Sequence, residues 1–174
     1  YAYNFFSTDE MYKFNKLING DERPYADLLR ALNSGLRNTG DKKYGEFAYK
    51  VIDYLKPENQ PYINKNIDSI NTDMSRPWML AMYLIEVGRF AQISEEFGMT
   101  KESSDAKKIL LEYSDFIFEK TSYEYNGYLN TYYSYYFNSE NLQNGDMINN
   151  WMLVLSDVYG YAYAFSNNAK YLDI

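Results

Sequence analysis

The chain has 174 residues, and its 17 Lys and Arg against 24 Asp and Glu give a net charge of -7. This balance argues against nucleic acid as the main partner, since phosphate binding needs clustered cations, and against a basic helix on a membrane surface. Cys and His are both absent, so thiolate or imidazole metal sites and Ser-His-Asp catalysis are excluded within these residues. We therefore expect no metal, no cofactor and, without an apolar run of transmembrane length, no membrane insertion.

The first part of the chain predicts a helical hairpin. Pro24 suits the first turn of a helix. Apolar residues then recur at helical spacing, namely Leu28, Leu29, Leu32 and Leu36. A turn at residues 38–41 separates this helix from a second one over residues 42–55, which Pro57 ends.

The middle of the chain predicts a second hairpin after a long connection at residues 57–75. Pro77 opens a helix that runs to about Glu96. Between Trp78 and Ile93 its only charged residues are Glu86 and Arg89. A helix that is apolar on nearly every side is typically buried. The amphipathic helix that follows over residues 101–120 should therefore lie on the outside.

The last part repeats this pattern. The connection at residues 121–146 is rich in Tyr, and Asn126-Gly127 within it is typical of the turn of a small β-hairpin. A second nearly all-apolar helix follows over residues 147–165, interrupted only by Ser156-Asp157, with Asp146 as its N-cap. A new helix then begins, so we expect a fragment that continues into at least one more hairpin.

Short motifs recur in the same order along the chain. Arg23-Pro24-Tyr25 matches Arg76-Pro77-Trp78, and Asn149-Asn150-Trp151 holds the same place further on. Their aromatic residues are 53 and 73 residues apart, and the longer step contains the Tyr-rich connection. The turn at residues 40–44 matches that at residues 167–171. The alternative is coincidence among helical proteins of biased composition, but the order and the spacing both favour a repeat.

The repeat predicts a single all-α domain over residues 1–174, with antiparallel helical hairpins at about 21–56, 76–120 and 147–174. Buried helices that alternate with amphipathic ones form part of an α/α toroid or a curved solenoid. The alternation, the period and the matching turns resemble the (α/α) toroid carbohydrate-active superfamily. That family includes six-hairpin glycoside hydrolases and the helical domains of polysaccharide lyases. The catalytic His of the family, where there is one, has no counterpart here.

In such an array the buried helices share one direction, so their N-termini and the long loops collect on one face. Aromatic rings there would stack on sugars while Asn and Arg bind hydroxyl groups, and the helix N-termini favour an acidic glycan. The residues expected to bind substrate are Arg76, Trp78, Tyr128, Tyr132, Asn150 and Trp151. The alternative makes Trp78 and Trp151 core anchors, pairs Arg76 with Asp73, and packs the tyrosines under their own loop.

No complete catalytic motif is present. A hydrolase would need two carboxylates, for which Asp73 and Glu140 are candidates, and a lyase would use Tyr132 or Tyr133 as base. The leading hypothesis is an extracytoplasmic (periplasmic, secreted or cell-surface) bacterial polysaccharide-degrading enzyme, with lyase ahead of hydrolase, or its helical substrate-binding domain. Its partners would be a polysaccharide or oligosaccharide and the rest of the same polypeptide. The alternatives are a non-catalytic helical-repeat scaffold and a surface glycan-capture protein.

Overall fold

The computed structural model describes residues 23–59, 75–125, 128–131 and 145–172, and the side chains within 24–58, 80–118 and 153–172. Over these residues the chain is helical apart from one short β-hairpin. The α-helices are α1 (Arg23–Thr39), α2 (Lys42–Tyr54), α3 (Ser75–Glu96), α4 (Thr100–Thr121) and α5 (Gly145–Ser166). Short 3-10 helices at Pro57–Asn59 and Ala169–Tyr171 follow α2 and α5. The all-α class is thus as predicted.

Helix α3 is the centre of the core. It packs against α1, α2, α4 and α5, which explains why its sequence is apolar on nearly every side. Leu84, Val87 and Phe90 on this helix have no exposed surface. Most of the apolar side chains described on this helix are buried, whereas Arg89, Gln92, Glu95 and Glu96 are exposed.

Helices α1 and α3 run side by side in the same direction. Arg30 on α1 pairs with Glu86 on α3, and further along both helices Arg37 pairs with Glu96. Residue numbers therefore increase together along the two helices. Their N-termini lie on one face of the molecule, and the tight turn after each helix lies on the opposite face.

Helix α5 continues this arrangement on the other side of α3. The ring of Tyr161 lies directly over Gly88. Further along, the Lys107 ammonium contacts both Glu95 of α3 and the Phe165 ring of α5. These contacts make α5 parallel to α3 as well. We call α1, α3 and α5 the inner helices, and α2 and α4 the outer helices.

The three tight turns each contain a residue in the left-handed conformation. Just beyond the end of each inner helix stands a residue with positive φ, namely Gly40 at 69°, Gly98 at 72° and Asn167 at 55°. Glycine and asparagine are the residues that adopt this left-handed conformation most readily at a helix end. The three positions are 58 and 69 residues apart, so a left-handed residue follows each inner helix.

The first and third turns match in their hydrogen bonds too. The Asp41 N–H donates to the Thr39 hydroxyl at 3.1 Å, and the Asn168 N–H donates to the Ser166 hydroxyl at 3.2 Å. The side chains of Asp41 and Asn168 then each accept from the backbone N–H two residues further on, at 3.0 and 3.1 Å. Both therefore act as N-caps, one for α2 and one for the last 3-10 helix.

Helix α5 departs from its prediction in two respects. It begins at Gly145, so Asp146 lies inside the helix instead of capping it, and Asn149-Asn150-Trp151 does not stand at the helix start as its counterparts do. The helix is also buried on one face only. Leu155 belongs to the core, whereas Leu153 is 66% exposed, because no described element packs against the opposite face.

The Tyr-rich connection begins with the predicted β-hairpin. Its strands are β1 (Ser122–Tyr125) and β2 (Tyr128–Thr131), which pair antiparallel with Tyr125 opposite Tyr128. The two strands are joined by the two residues Asn126-Gly127, which is the loop length that this dipeptide favours. The hairpin lies directly after α4.

Candidate functional site

The residues predicted to bind substrate or to act in catalysis stay predictions, because their side chains are outside the described residues. Four of them belong to α3 or α5 by their backbone, namely Arg76, Trp78, Asn150 and Trp151. Tyr128 begins β2. The others lie outside the described residues altogether, namely Asp73, Tyr132, Tyr133 and Glu140. Since α3 and α5 are parallel, the first four lie toward matching ends of neighbouring helices.

Tyr25 is the one aligned aromatic residue whose side chain is described. It is 1% exposed and belongs to the hydrophobic core. Its position in the first hairpin matches that of Trp78 and Trp151 in the second and third. Tyr25 is therefore a core anchor of the first hairpin, and the roles of Trp78 and Trp151 stay predictions.

A second candidate site is visible on the surface that the inner helices expose. We call this surface the inner face and define it by the exposed or half-exposed residues Arg30, Ser34, Arg89, Gln92, Asp157 and Gly160. The face is polar, although α3 and α5 are the most apolar helices of the chain. Its chemistry depends on a carboxylate that lies beneath it.

That carboxylate belongs to Glu86 of α3, whose side chain is only 1% exposed. Its Oε1 accepts hydrogen bonds from Nε of Arg30 at 3.0 Å and from Nη1 of Arg89 at 2.6 Å. Nδ2 of Asn33 donates to Oε2 at 3.3 Å and to the Glu86 carbonyl at 3.0 Å. Donors from two helices thus satisfy one buried carboxylate.

The energetics suggest that this cluster does more than stabilise the fold. Burying a carboxylate costs several kcal/mol, and its two arginine partners are 49% and 48% exposed, so water screens their attraction. The arrangement holds Arg30 and Arg89 beside each other on Glu86, and Arg30 also pairs with Asp27 at 3.2 Å, so Arg89 is the cation of the cluster that has a single carboxylate partner among the described residues. A fixed guanidinium suits bidentate binding of a carboxylate or sulfate.

A groove adjoins Arg89 on the other side, between α3 and α5. Its volume is about 390 Å³, at the low end of the range of about 300–1,000 Å³ for small-molecule sites. The lining residues are Ile85, Arg89, Gln92, Ser156, Asp157, Gly160, Tyr161 and Ala164. They offer a guanidinium, an amide, a hydroxyl, a carboxylate and an aromatic ring within one open space. We call this space the inner groove.

A second groove of about 350 Å³ lies between the outer helices α2 and α4. There the Tyr49 hydroxyl donates to Asp105 at 2.6 Å, and the Lys101 ammonium contacts both groups at 3.2 and 3.1 Å. Lys56 pairs with Asp53 at the same surface. A ligand would have to displace these contacts, so the inner groove is the stronger candidate for a binding site.

The Tyr49–Asp105 contact predicts a change in titration. The hydrogen bond from Tyr49, with a further contribution from Lys101, holds the pKa of Asp105 below its ordinary value. Tyr49→Phe should therefore raise the pKa of Asp105 toward its ordinary value. A carboxyl group whose pKa is lower in the folded state stabilises the fold at pH values above its unfolded-state pKa. The wild type should therefore be more stable than the variant at neutral pH, and this difference should vanish as the pH falls and Asp105 is protonated.

Carboxyl ¹³C NMR titration of Asp105 measures this change directly. Tyr163→Phe, on the inner helix α5, is the matched control and should leave the titration of Asp105 as it is in the wild type. An unchanged pKa of Asp105 in Tyr49→Phe would contradict the assigned role of the hydroxyl.

Sequence reasoning overlooked the cluster around Glu86, although a signal was present. Glu86 and Arg89 are the only charged residues between Trp78 and Ile93 of α3, and a charged pair one turn apart in an otherwise apolar helix marks a polar site inside the array. Arg30, which donates to Glu86, is 56 residues away in the sequence. Only the packing of α1 on α3 brings the two residues together.

Within the described parts of the chain, no group of three or more acidic side chains is placed to hold a metal ion. None of the helices described there is long and apolar enough to cross a membrane. Comparison with protein-family models, with curated proteins and with solved structures found no match to this chain. The function therefore has to be argued from the geometry of the site.

Proposed function

We propose that the chain is a helical domain of an extracytoplasmic bacterial polysaccharide-degrading protein, part of an α/α toroid, and that it binds an acidic glycan on its inner face. The observation that carries this proposal is the pair of arginines that Glu86 holds, of which Arg89 lines the inner groove. An acidic group of the glycan would bind Arg89, because this residue belongs to both the cluster and the groove.

The positions of polar residues in the inner helices support the proposal. In α3 the charged interruptions of the apolar sequence are Glu86 and Arg89, and in the apolar stretch of α5 the interruptions are Ser156 and Asp157. Arg89, Ser156 and Asp157 all line the inner groove, and Glu86 binds Arg89 from below. Interruptions placed only to satisfy solvent would have no reason to converge on one groove.

The chemistry of the groove matches that of a sugar. The Gln92 amide and the Asp157 carboxylate supply donors and acceptors for hydroxyl groups, and the Tyr161 ring supplies an apolar surface. Arginine also neutralises a uronate carboxylate, which is what a lyase needs before proton abstraction. Cleavage itself would fall to the long connections, with Tyr132 or Tyr133 as base in a lyase, or Asp73 and Glu140 in a hydrolase.

Calorimetric titration with matched oligosaccharides tests the proposal. Tetramers of galacturonate, mannuronate and glucuronate are compared with their methyl esters, which keep the sugar backbone and remove the charge. At least one free acid should bind about tenfold or more tightly than its ester, and Arg89→Ala should remove that difference. Arg37→Ala, another exposed arginine of the inner helices, should leave binding unchanged. The proposal fails if no free acid binds, or if acids and esters bind alike.

A protein-binding scaffold is the second candidate, and the exposed apolar residues favour it. Leu153 on α5 is 66% exposed and Leu172 is 56% exposed, and a protein partner that covered them would bury apolar surface. A scaffold would bind none of the saccharides, and no difference between free acids and esters would exist for Arg89→Ala to remove. The same titration therefore separates the two candidates.

A further inference from the structure

Arg89 and Asp157 place opposite charges on the two walls of the inner groove. Arg89 stands on α3 and Asp157 on α5, and both side chains are exposed. The Arg89 guanidinium pairs with Glu86 on its own helix at 2.6 Å. Among the residues that the structure describes, Asp157 forms no ion pair with Arg89 or with another cation. One wall of the groove thus holds a fixed cation, and the other holds a carboxylate that no described cation neutralises.

Opposite charges on neighbouring helices pair directly elsewhere in the molecule. Arg37 on α1 pairs with Glu96 on α3 at 3.5 Å, and Lys107 on α4 pairs with Glu95 on α3 at 2.6 Å. In the inner groove, Glu86 holds the guanidinium from below, and an open space of about 390 Å³ lies between the two walls. A molecule that carries both charges would neutralise the two walls at once.

The surroundings of Asp157 favour an ammonium group over the other partners of a carboxylate. A metal ion needs several oxygen ligands, and no group of three or more acidic side chains is placed to hold one within the described ranges. The ring of Tyr161 lines the same groove, and an aromatic face attracts an ammonium group. A second acidic group of a ligand would instead be repelled by the carboxylate. Asp157 therefore selects for an amine and against a further acid.

We propose that the inner groove binds a zwitterionic saccharide unit, in which an acidic group meets Arg89 and the free amino group of the adjoining sugar meets Asp157. The inference rests on the proposed function, because the acidic group is the one assigned there to Arg89. The axes of packed helices are about 8–10 Å apart, a distance that two linked sugar rings cover. The preferred glycan therefore alternates an acidic sugar with an amino sugar that is not acetylated.

Two matched tetrasaccharides test the inference by calorimetry, at a pH at which the amine is protonated. Both alternate glucuronate with glucosamine, and the amines are free in one and N-acetylated in the other. The wild type should bind the free amine about tenfold more tightly, since acetylation removes the charge that Asp157 meets. Asp157→Asn should abolish this preference and keep the Arg89-dependent preference for acid over methyl ester. Glu46→Gln removes the same charge from an exposed position of the outer helix α2, and as the matched control it should keep both preferences.

The possible outcomes separate the inference from the proposed function. Equal affinities of the wild type for the two tetrasaccharides, with Arg89-dependent binding of acids intact, overturn the inference alone. A preference for the free amine that survives in a folded Asp157→Asn also overturns it, because the ammonium would then meet another group. A wild type that binds no acidic saccharide overturns the proposed function and the inference together. Free alanine is the last probe, since binding of alanine that Asp157→Asn abolishes would assign the groove to amino acids and contradict a saccharide ligand.

Discussion

Leu84→Ala should lower the free energy of unfolding by about 2–5 kcal/mol, whereas Leu153→Ala should change it by less than about 0.5 kcal/mol. Leu84 is fully buried in α3, and Leu153 is 66% exposed on α5. The two substitutions remove the same atoms from neighbouring inner helices. Only the first leaves a cavity, because α3 is enclosed by the four other helices.

Urea unfolding followed by circular dichroism measures both values in one series. The slope of the free energy against urea should stay the same, so the difference appears as a shift of the midpoint. Similar losses for Leu84→Ala and Leu153→Ala would contradict the assignment of α3 as the core helix and the exposure of this face of α5.

Glu86→Gln should produce the second large effect, on stability and on binding together. Glutamine keeps the shape of the side chain. Its amide nitrogen, however, cannot accept the hydrogen bonds that a carboxylate oxygen of Glu86 accepts, so the donors at that oxygen lose their acceptor. A loss of about 1–3 kcal/mol of unfolding free energy is expected. Arg30 and Arg89 would no longer be held together, and affinity for the uronate tetramer should fall at least about tenfold, because the site loses its preorganisation.

Glu95→Gln is the matched control for this substitution. Glu95 lies on the same helix and pairs with Lys107 at 2.6 Å, but its side chain is 58% exposed, so stability and affinity should both stay close to wild type. If the role of Glu86 were purely structural, Glu86→Gln would lower stability and leave the affinity of the folded fraction unchanged. Calorimetry below the melting temperature distinguishes these outcomes, and an unchanged affinity would remove Glu86 from the site.

The helices and turns could be predicted from the sequence because local physics decides them. The apolar stretches after Pro24 and Pro77 predicted the inner helices α1 and α3. The positions of Gly40 and Asn167 predicted two of the turns, since residues in the left-handed conformation commonly end helices. The exposed face of α5 could not be predicted in this way. Leu153 is as apolar as Leu155, and only the neighbours of α5 decide which of the two is buried.

The candidate site was predictable only in part, for a related reason. Glu86 and Arg89 stood out as charges in an apolar helix, and Ser156-Asp157 stood out in the same way. Their convergence depends on the relative rotation and register of α3 and α5, which no local pattern contains. The role of Arg30 could not be predicted, because its partner Glu86 lies on another helix.

The tight turns also determine where this chain tolerates changes in length. Each turn reverses the chain within a few residues around Gly40, Gly98 or Asn167, and the steps between them are 58 and 69 residues. The same packing of parallel inner helices thus accommodates steps that differ by 11 residues. Most of this difference lies in the outer helices, since α2 has 13 residues and α4 has 22. The inner helices and their tight turns are therefore the constant part of each step, and the outer helix is a part whose length can change without repacking the core.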